Sequence, residues 1–336
     1  MLKSFISYSL TQSSLSYEIS RPLVFVVDET DHLILMELGR NCRLSYRELA
    51  KRVQLSTTAV MKRLKAMEDD GTIMHYMVIP SSAMIGTSGY IVIVHTYGRE
   101  NREKLVKSIG ELQETIIVGE LASSRGRSYV ATGQYIGSER LQEIARYFRA
   151  LEGVEDVELH QTKRLAVSEG YKIDLTDHHL LVLRSLRKDA RMQVNDIASE
   201  SGLSRRRVRR ILKELLESGA FRFITRTHLG LKRATESIIR VRYDSSESGV
   251  RQFNQWIENI DDCGFFDVFS SITEPVAFCW FQCNDVQDLR EVLKRVEALP
   301  FIETSTPLVL YSIHKFPWLA ELKLDEMIAG ISKKDT

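Results

Sequence analysis

Apolar positions in residues 203–221 recur at helical spacing and define one face of a short helix. These apolar positions are Val208, Ile211, Leu212, Leu215 and Leu216. Ser204 stands where an N-cap belongs and Gly219 where a helix ends, so the pattern predicts a capped helix with one buried stripe. The other side of the predicted helix is basic and carries Arg205, Arg206, Arg209, Arg210 and Lys213.

The segment before this basic helix indicates the structural motif of which the helix is a part. A shorter amphipathic pattern has its apolar positions at Met192, Val194, Ile197 and Ala198. Gly202 then provides a turn, and a short helix, a turn and a basic helix together predict a helix-turn-helix. Residues 221–230 half-alternate and predict the hairpin of a winged variant. An isolated Arg-rich helix would more simply be a solvated surface, but arginine also matches phosphate and the guanine edge.

The chain contains this pattern twice. Residues 28–73 align with residues 174–221, which indicates a duplicated unit. The matching positions include Arg43 with Arg191, Leu49 with Ile197, Ser56 with Ser204, and Gly71 with Gly219. The recognition helix of the first copy is less basic and exposes Thr57, Thr58, Met61 and Lys62. It could recognise a different DNA sequence, or it could have lost DNA binding.

The segments after the two copies also repeat. Periodicity predicts strand, helix, two strands, helix and strand over residues 85–165, and the same order over residues 235–312. This βαββαβ order is ferredoxin-like. Pro307 lies in the last predicted strand and requires a sheet edge, where this topology places that strand. The predicted fold class is α+β, with two winged helix-turn-helix domains alternating with two ferredoxin-like domains.

These patterns divide the chain into six segments. They are an N-terminal extension at 1–27, winged helix-turn-helix domains at 28–80 and 174–230, ferredoxin-like domains at 85–165 and 235–312, and a C-terminal tail at 313–336. The extension could be a flexible arm or a strand added to a partner. The tail predicts an amphipathic helix through Phe316, Trp318, Leu319, Leu322 and Met327. Packing of this helix against its own last domain is favoured over binding to a partner.

Several motifs in this order resemble the Lrp/AsnC (leucine-responsive, or feast/famine) family. The resemblance spans Asp28 to Tyr311. It rests on the D-x-x-I-L-x-x-L opening from Asp31 to Leu38, the stretches Arg43 to Tyr46 and Leu49-Ala50, the Leu55-Ser56 turn, and the exit at Met67 to Ile73 and Pro80 to Gly86. The resemblance implies winged helix-turn-helix domains followed by RAM-type ferredoxin-like domains for ligand binding and dimerisation. Family members are usually single units, so this chain looks like a tandem form.

The resemblance and the basic helix together predict a sequence-specific DNA-binding transcriptional regulator. Its partner would be double-stranded DNA, and its ferredoxin-like domains would pair in a homodimer or in an intrachain pseudo-dimer. The predicted DNA-binding residues of the second copy are Ser204, Arg205, Arg206, Arg207, Arg209, Arg210 and Lys213. Those of the first copy are Thr57, Thr58, Lys62 and Arg63.

A small-molecule effector is also implied, between the paired ferredoxin-like domains. The candidate residues are Gly119, Glu120, Gly126, Arg127, Ser271 and Thr273. Arg127 stands where the family's turn would carry an acidic residue, and the second turn has no glycine. We therefore expect weak or no binding of leucine and other neutral amino acids.

Composition narrows the alternatives. The net charge of +1 gives no bulk attraction to nucleic acid, so the locally concentrated basic charge is what matters. The four cysteines do not form a secreted disulfide framework, and Cys279 and Cys283 are interpreted as core residues, with a metal site including Cys263 as the alternative. No apolar run is long enough to span a bilayer, so we expect a cytoplasmic protein without membrane association.

Catalytic motifs are not evident, and we predict no enzymatic activity, cofactor or metal. The eight histidines are scattered, and only His178 and His179 are adjacent. One enzyme class remains an alternative, because siroheme decarboxylases resemble two copies of the same two-domain unit. A metabolite sensor without DNA binding is a third possibility, against which the clustered arginines argue.

Overall fold

The computed structural model describes residues 28–122, 126–165, 171–227, 235–260, 265–283 and 285–330. The predicted N-terminal extension lies outside these described residues. Within them the same order of elements occurs twice, and the predicted duplication is confirmed. No helix in the described ranges combines the length and apolar character needed to cross a membrane.

Each copy begins with three helices and one strand. In the first copy these are α1 (Glu29–Arg40), α2 (Tyr46–Arg52), α3 (Thr57–Asp69) and β1 (Ile73–Pro80), followed by the short α4 (Ser82–Ile85). In the second they are α7 (Asp177–Leu186), α8 (Val194–Ser201), α9 (Arg205–Glu217) and β6 (Phe221–Thr227). Ser56 and Ser204 cap α3 and α9 as predicted. Gly219 has a φ of 63°, which suits the residue that ends α9.

The two helix-turn-helix units pair through their strands. β1 and β6 form an antiparallel two-stranded sheet in which Met77 lies opposite Ile224. The predicted hairpin of the second copy is therefore wrong for the described residues, because β6 takes its partner from the first copy. Half-alternation identified the strand, but periodicity carries no information about which strand lies beside it. The remaining predicted hairpin residues, 228–230, lie outside the described part of the chain.

Two ferredoxin-like units follow the helix-turn-helix units. The first consists of β2 (Thr87–Thr96), α5 (Arg102–Glu111), β3 (Thr115–Leu121), β4 (Ser128–Ile136), α6 (Arg140–Arg149) and β5 (Val154–Arg164). The second consists of β7 (Thr235–Tyr243), α10 (Glu247–Glu258), β8 (Phe265–Ser271), β9 (Val276–Cys283), α11 (Val286–Glu297) and β10 (Ile302–Lys315). Both units have the predicted βαββαβ order.

The two four-stranded sheets close into one barrel of order β10-β3-β4-β2-β5-β8-β9-β7. At each closing seam, the fourth strand of one unit pairs with the second strand of the other. Pairing of the ferredoxin-like domains therefore occurs within one chain, as one of the two predicted arrangements. Pro307 lies in the part of β10 that pairs only with β7, so its missing N–H faces no second strand.

The strand alternation separates an inner core from two outer cores. On β2, Val92 and Val94 pack beneath α5 and α6, whereas Ile91 and Ile93 face the barrel interior. There they meet Phe278 and Trp280 of the second unit, so apolar contacts join the two halves. Cys279 and Cys283 are buried in the second outer core, as interpreted from the sequence, and Cys263 lies outside the described residues.

The C-terminal tail forms the predicted helix, α12 (Leu319–Ala329), after β10 has continued to Lys315. It does not pack on the last ferredoxin-like unit as expected. Leu324 is fully buried in the core of the second helix-turn-helix, and Ala320 packs against Met77 and Ile224 of the two-stranded sheet. Arg187 Nε of α7 donates to Asp325 Oδ1 at 2.8 Å. The apolar spacing predicted the helix itself. Its packing surface could not be predicted in the same way, because the β1–β6 sheet that α12 covers forms only when the two copies pair.

Candidate nucleic-acid interface

The buried side of α9 holds the helix in place. Val208, Ile211 and Leu215 are at most 1% exposed and pack with α7, α8 and β6 in one core. Ser204 Oγ accepts from the Arg207 backbone N–H at 3.3 Å, so the start of the helix is fixed by its cap. The basic side of α9 is consequently presented outward by a rigid core.

The opposite side of α9 is exposed and positively charged. Arg205, Arg206, Arg209 and Arg210 are all exposed, and no carboxylate within the described ranges pairs with them. Lys213 is exposed too and lies 3.7 Å from Glu217 one turn further along α9. Arg207 differs, because its Nη2 lies 2.8 Å from His178 Nδ1 of α7. The basic face therefore offers four guanidinium groups that have no carboxylate partner among the described residues.

The placement of these arginines costs helix stability. Arg205 and Arg206, together with Arg207, occupy the first turn of α9, which has no acidic residue, although helix N-termini favour negative charge. Arg205 with Arg209, and Arg206 with Arg210, are also like-charge pairs four residues apart. Each such pair destabilises a helix by about 0.2–0.5 kcal/mol. An anion at this surface would remove both costs, and a helix N-terminus is well suited to phosphate.

The matching helix α3 presents different chemistry at the same positions. Thr57, Thr58, Met61 and Lys62 are exposed and align with Arg205, Arg206, Arg209 and Arg210, respectively. Arg63, which was predicted to contact DNA, is held inside its own unit. Its Nη1 lies 2.6 Å from Asp28 Oδ2 and 2.8 Å from Asp31 Oδ1, and these two carboxylates raise the pKa of its guanidinium.

Two arginines form hydrogen bonds between the helix-turn-helix units, a role that was not predicted from the sequence. Arg43 Nη1 donates to the Ala190 carbonyl at 2.5 Å, and Arg191 Nη1 donates to the Cys42 carbonyl at 2.6 Å. The two contacts are equivalent, because Cys42 and Ala190 occupy matching positions in the repeat. Together with the antiparallel β1–β6 pairing, they relate α3 and α9 by a local pseudo-twofold axis. The sequence did contain a sign of this role, because Arg43 and Arg191 are the same residue at matching positions of the repeat.

The candidate effector residues lie on different seams of the barrel. Gly119 and Glu120 are on β3 beside β10, whereas Ser271 ends β8 beside β5. A Cβ on Gly119 would collide with the Leu310 side chain, and one on Gly126 with the Thr96 carbonyl, so packing alone explains both glycines. Ser271 Oγ lies 3.4 Å from Thr273 Oγ1. The structure thus does not bring these six residues into one site.

The charged candidates are already engaged with other groups. Glu120 is buried and accepts from Arg102 Nε at 2.7 Å, with Tyr311 and His314 also in contact. Burial alone would raise the pKa of this carboxyl, but the hydrogen bonds and charge of Arg102 hold it below its usual value. Arg127 Nη1 donates to the Glu100 carbonyl at 3.0 Å.

A charged network across the barrel was also missed by sequence reasoning. Arg240 Nη2 of β7 lies 2.6 Å from Glu158 Oε1 of β5, and His160 Nε2 lies 2.7 Å from the same oxygen. At the second seam, Arg164 Nε donates to buried Asp267 at 2.8 Å. The two arginine–carboxylate pairs connect residues far apart in the chain, so no local spacing could have revealed them. They tie the first ferredoxin-like unit to the second.

Known proteins share this arrangement in whole or in part. A family model described as winged helix-turn-helix DNA-binding matches residues 27–74 and again residues 175–221. The HTH-type transcriptional regulator LrpA of Pyrococcus horikoshii is 36% identical over 102 residues, which are 30% of this chain and 70% of that protein. The proline dehydrogenase transcriptional activator of Rhodobacter capsulatus is 32% identical over 123 residues, which are 36% of this chain and 76% of that protein.

A solved structure extends the likeness to most of the chain. The siroheme decarboxylase NirDL covers 91% of this chain, and 100% of that structure is covered in return, with a TM-score of 0.52 and 14% identity. At this identity the likeness concerns the duplicated fold. The winged helix-turn-helix units and the exposed basic helix define a tandem transcription regulator. The chain belongs to the Lrp/AsnC family, as its motifs and its LrpA relative show.

Proposed function

We propose that this chain is a sequence-specific DNA-binding regulator in which α9 enters the major groove. The observation that carries the proposal is a set of four exposed arginines, paired with no carboxylate of the described residues, on a helix whose other side is packed in a core. Arginine donates two parallel hydrogen bonds to guanine O6 and N7, and it pairs equally well with phosphate. Residues near the start of α9 would contact bases, because recognition helices insert with their N-terminal part.

We further propose that one chain supplies both DNA-binding units. The cross-copy arginine contacts and the β1–β6 sheet hold α3 and α9 in a fixed relation. The closed barrel then joins the two ferredoxin-like units in the same chain. A single chain would therefore present the pair of recognition helices that single-unit regulators obtain by pairing two chains.

Genome-wide occupancy of the tagged chain in its own host tests the proposed function. We expect a limited set of discrete sites that share a sequence, and fragments containing that sequence should be retarded by the purified protein. Uniform occupancy that follows chromatin accessibility, with no shared sequence and no retardation above that of random DNA, would contradict the proposal.

A second candidate, an enzyme acting on an anionic tetrapyrrole, is favoured only by the NirDL fold. Three histidines of the ferredoxin-like units have partners within the chain: His95 contacts Ser128, His160 contacts Glu158, and His314 contacts Ser312. The barrel interior beside His160 is filled by Phe278, whose ring centre is 5.2 Å from the imidazole. Titration with siroheme should give no new bound absorbance band, and a saturable band at one equivalent would favour the enzyme.

A further inference from the structure

The two recognition helices differ at four matched exposed positions of their proposed DNA-facing sides. Where α9 has four arginines, α3 has two threonines, a methionine and a lysine. Met61 remains 48% exposed on an otherwise polar helix surface, so it is not needed to fill the core. Threonine and methionine side chains provide apolar contacts that suit the thymine methyl group, whereas arginine suits guanine. The two surfaces therefore match different bases.

The structure also fixes which helices come together. In a regulator made of two identical chains, the twofold axis forces both half-sites to be the same. Here the pseudo-twofold pairing between Arg43 and Ala190, and between Arg191 and Cys42, joins unlike helices of one chain. The β1–β6 register and both barrel seams maintain the same pairing. One chain therefore always presents one arginine helix and one threonine–methionine helix.

We infer that the operator of this regulator is not a palindrome but consists of two different half-sites. The half facing α9 carries guanines, and the half facing α3 carries thymines. The inference rests on the proposed DNA-binding function and specifies the class of DNA that the function requires. The helix pair also gives the protein a single orientation on its operator, because exchanging the halves would place arginines against the thymine half.

Lys62 of α3 and Arg210 of α9 retain positive charge at the same position. A positive group conserved between otherwise different surfaces suits a phosphate, which is the same in every sequence. The differences at the other three positions then carry the difference in base preference. This division predicts that α3 and α9 make the same contacts to the DNA phosphate backbone and different contacts to the bases.

In vitro selection from a random duplex library tests the inference. The duplex should accommodate two half-sites about one helical turn, roughly 10 base pairs, apart. The parent chain is compared with two grafted variants, each changed only at exposed positions and checked for folding by circular dichroism. In one, Thr57→Arg/Thr58→Arg/Met61→Arg/Lys62→Arg gives α3 the surface of α9. In the matched reverse graft, Arg205→Thr/Arg206→Thr/Arg209→Met/Arg210→Lys gives α9 the surface of α3.

The parent should select two unlike half-sites, one rich in guanine and one rich in thymine. The first graft should select an inverted repeat of the guanine half, and the reverse graft an inverted repeat of the thymine half. Single base-pair changes in either half should weaken the parent by roughly 5- to 150-fold. Exchanging the surfaces tests both helices without altering their buried sides.

Three other results would have distinct meanings. An inverted repeat selected by the parent would overturn the two-half inference while leaving DNA recognition intact. A single conserved half with random sequence beside it, unchanged by the α3 graft, would also overturn the inference, because α3 would then read no bases. Absence of any enriched sequence for all three folded proteins would overturn the proposed function itself.

Discussion

Arg43 and Arg191 each donate hydrogen bonds from one helix-turn-helix unit to backbone carbonyls of the other. Arg43 reaches two carbonyls of the other copy, those of Ala190 and Met192, at 2.5 and 3.2 Å. Arg191 reaches one carbonyl and also lies 5.3 and 5.0 Å from the ring centres of Tyr46 and Tyr76. These contacts satisfy backbone groups at the boundary between the two copies.

Arg43→Ala should lower the free energy of unfolding by about 1–3 kcal/mol, because it leaves partly buried carbonyls without donors. Arg47→Ala is a matched control, since Arg47 is exposed on α2 and its loss should change the free energy by less than about 0.5 kcal/mol. Urea unfolding followed by circular dichroism measures both variants. Equal stability of the Arg43 and Arg47 variants would show that the cross-copy contact does not hold the units together.

The candidate effector residues lead to a prediction about ligands. Glu120 is engaged by Arg102, and Arg127 is engaged by Glu100, so neither group is free for the ammonium or carboxylate of an amino acid. We expect calorimetric titration with leucine and a panel of other neutral amino acids to show weak or no binding. Micromolar affinity for any of them would contradict the interpretation of these turns.

At the seam between β3 and β10, the Glu120 carboxylate makes a contribution to the free energy of unfolding that depends on pH. The folded pKa of Glu120 lies below its unfolded value, because hydrogen bonds and charge from Arg102 outweigh burial. This carboxylate therefore stabilises the fold above its unfolded pKa of 4.5, and the contribution is lost as the pH falls through the lower folded pKa.

Glu120→Gln should destabilise the chain near neutral pH by roughly 1 kcal/mol, a value reduced by solvent screening of half-exposed Arg102. The difference from the parent should shrink as the pH is lowered from about 5 towards 3, because the parent carboxyl then becomes neutral too. Glu111→Gln, in an exposed pair with Lys107, serves as the control. Urea unfolding midpoints of the parent and the variants are measured across this pH range. A stability difference between Glu120→Gln and the parent that does not change with pH would contradict the stabilising role of the ionised Glu120 carboxylate.

Local sequence signals predicted the elements well and their partners poorly. Ser204 and Gly219 marked the limits of α9, and periodicity gave the βαββαβ order of both ferredoxin-like units, because caps and periodicity depend on neighbouring residues. By contrast, the partner of β6, the surface beneath α12 and the Arg240–Glu158 pair depend on contacts between the copies. Repetition in the sequence revealed that two units exist, but not which edges they share.

The candidate DNA-contacting residues show the same division. Exposure of Arg206 and Arg210 followed from helical periodicity, since the apolar stripe fixes the opposite face. Periodicity did not show that Arg63 would pair with Asp28 and Asp31, because those residues belong to a separate helix and its cap. A charged residue beside an apolar stripe can serve either a neighbouring helix or a ligand, and only the tertiary structure distinguishes them.

The whole molecule is a single-chain pseudo-dimer in which the barrel and the β1–β6 sheet join the same two halves. In one junction β1 pairs with its counterpart β6, and in the other the two barrel seams join equivalent strands of the two copies, so a duplicated scaffold links α3 and α9 to the barrel. The exposed sides of α3 and α9, which are proposed to face DNA, differ between the two halves. The central claim is therefore that α9 contributes most of the electrostatic binding energy.

A mobility-shift titration at several salt concentrations tests that claim directly. Each phosphate contact adds about 0.9 to the slope of log affinity against log salt, so Arg206→Ala/Arg210→Ala should flatten the slope by roughly one unit through the phosphate contact of Arg210. Loss of the base contact of Arg206 should lower discrimination between sites by about 1–3 kcal/mol, and a slope flattened by roughly two units would show that both residues contact phosphate. The matched Thr58→Ala/Lys62→Ala variant of α3 should lose less affinity. An arginine variant that remains folded by circular dichroism and binds as tightly as the parent at every salt concentration would contradict the claim.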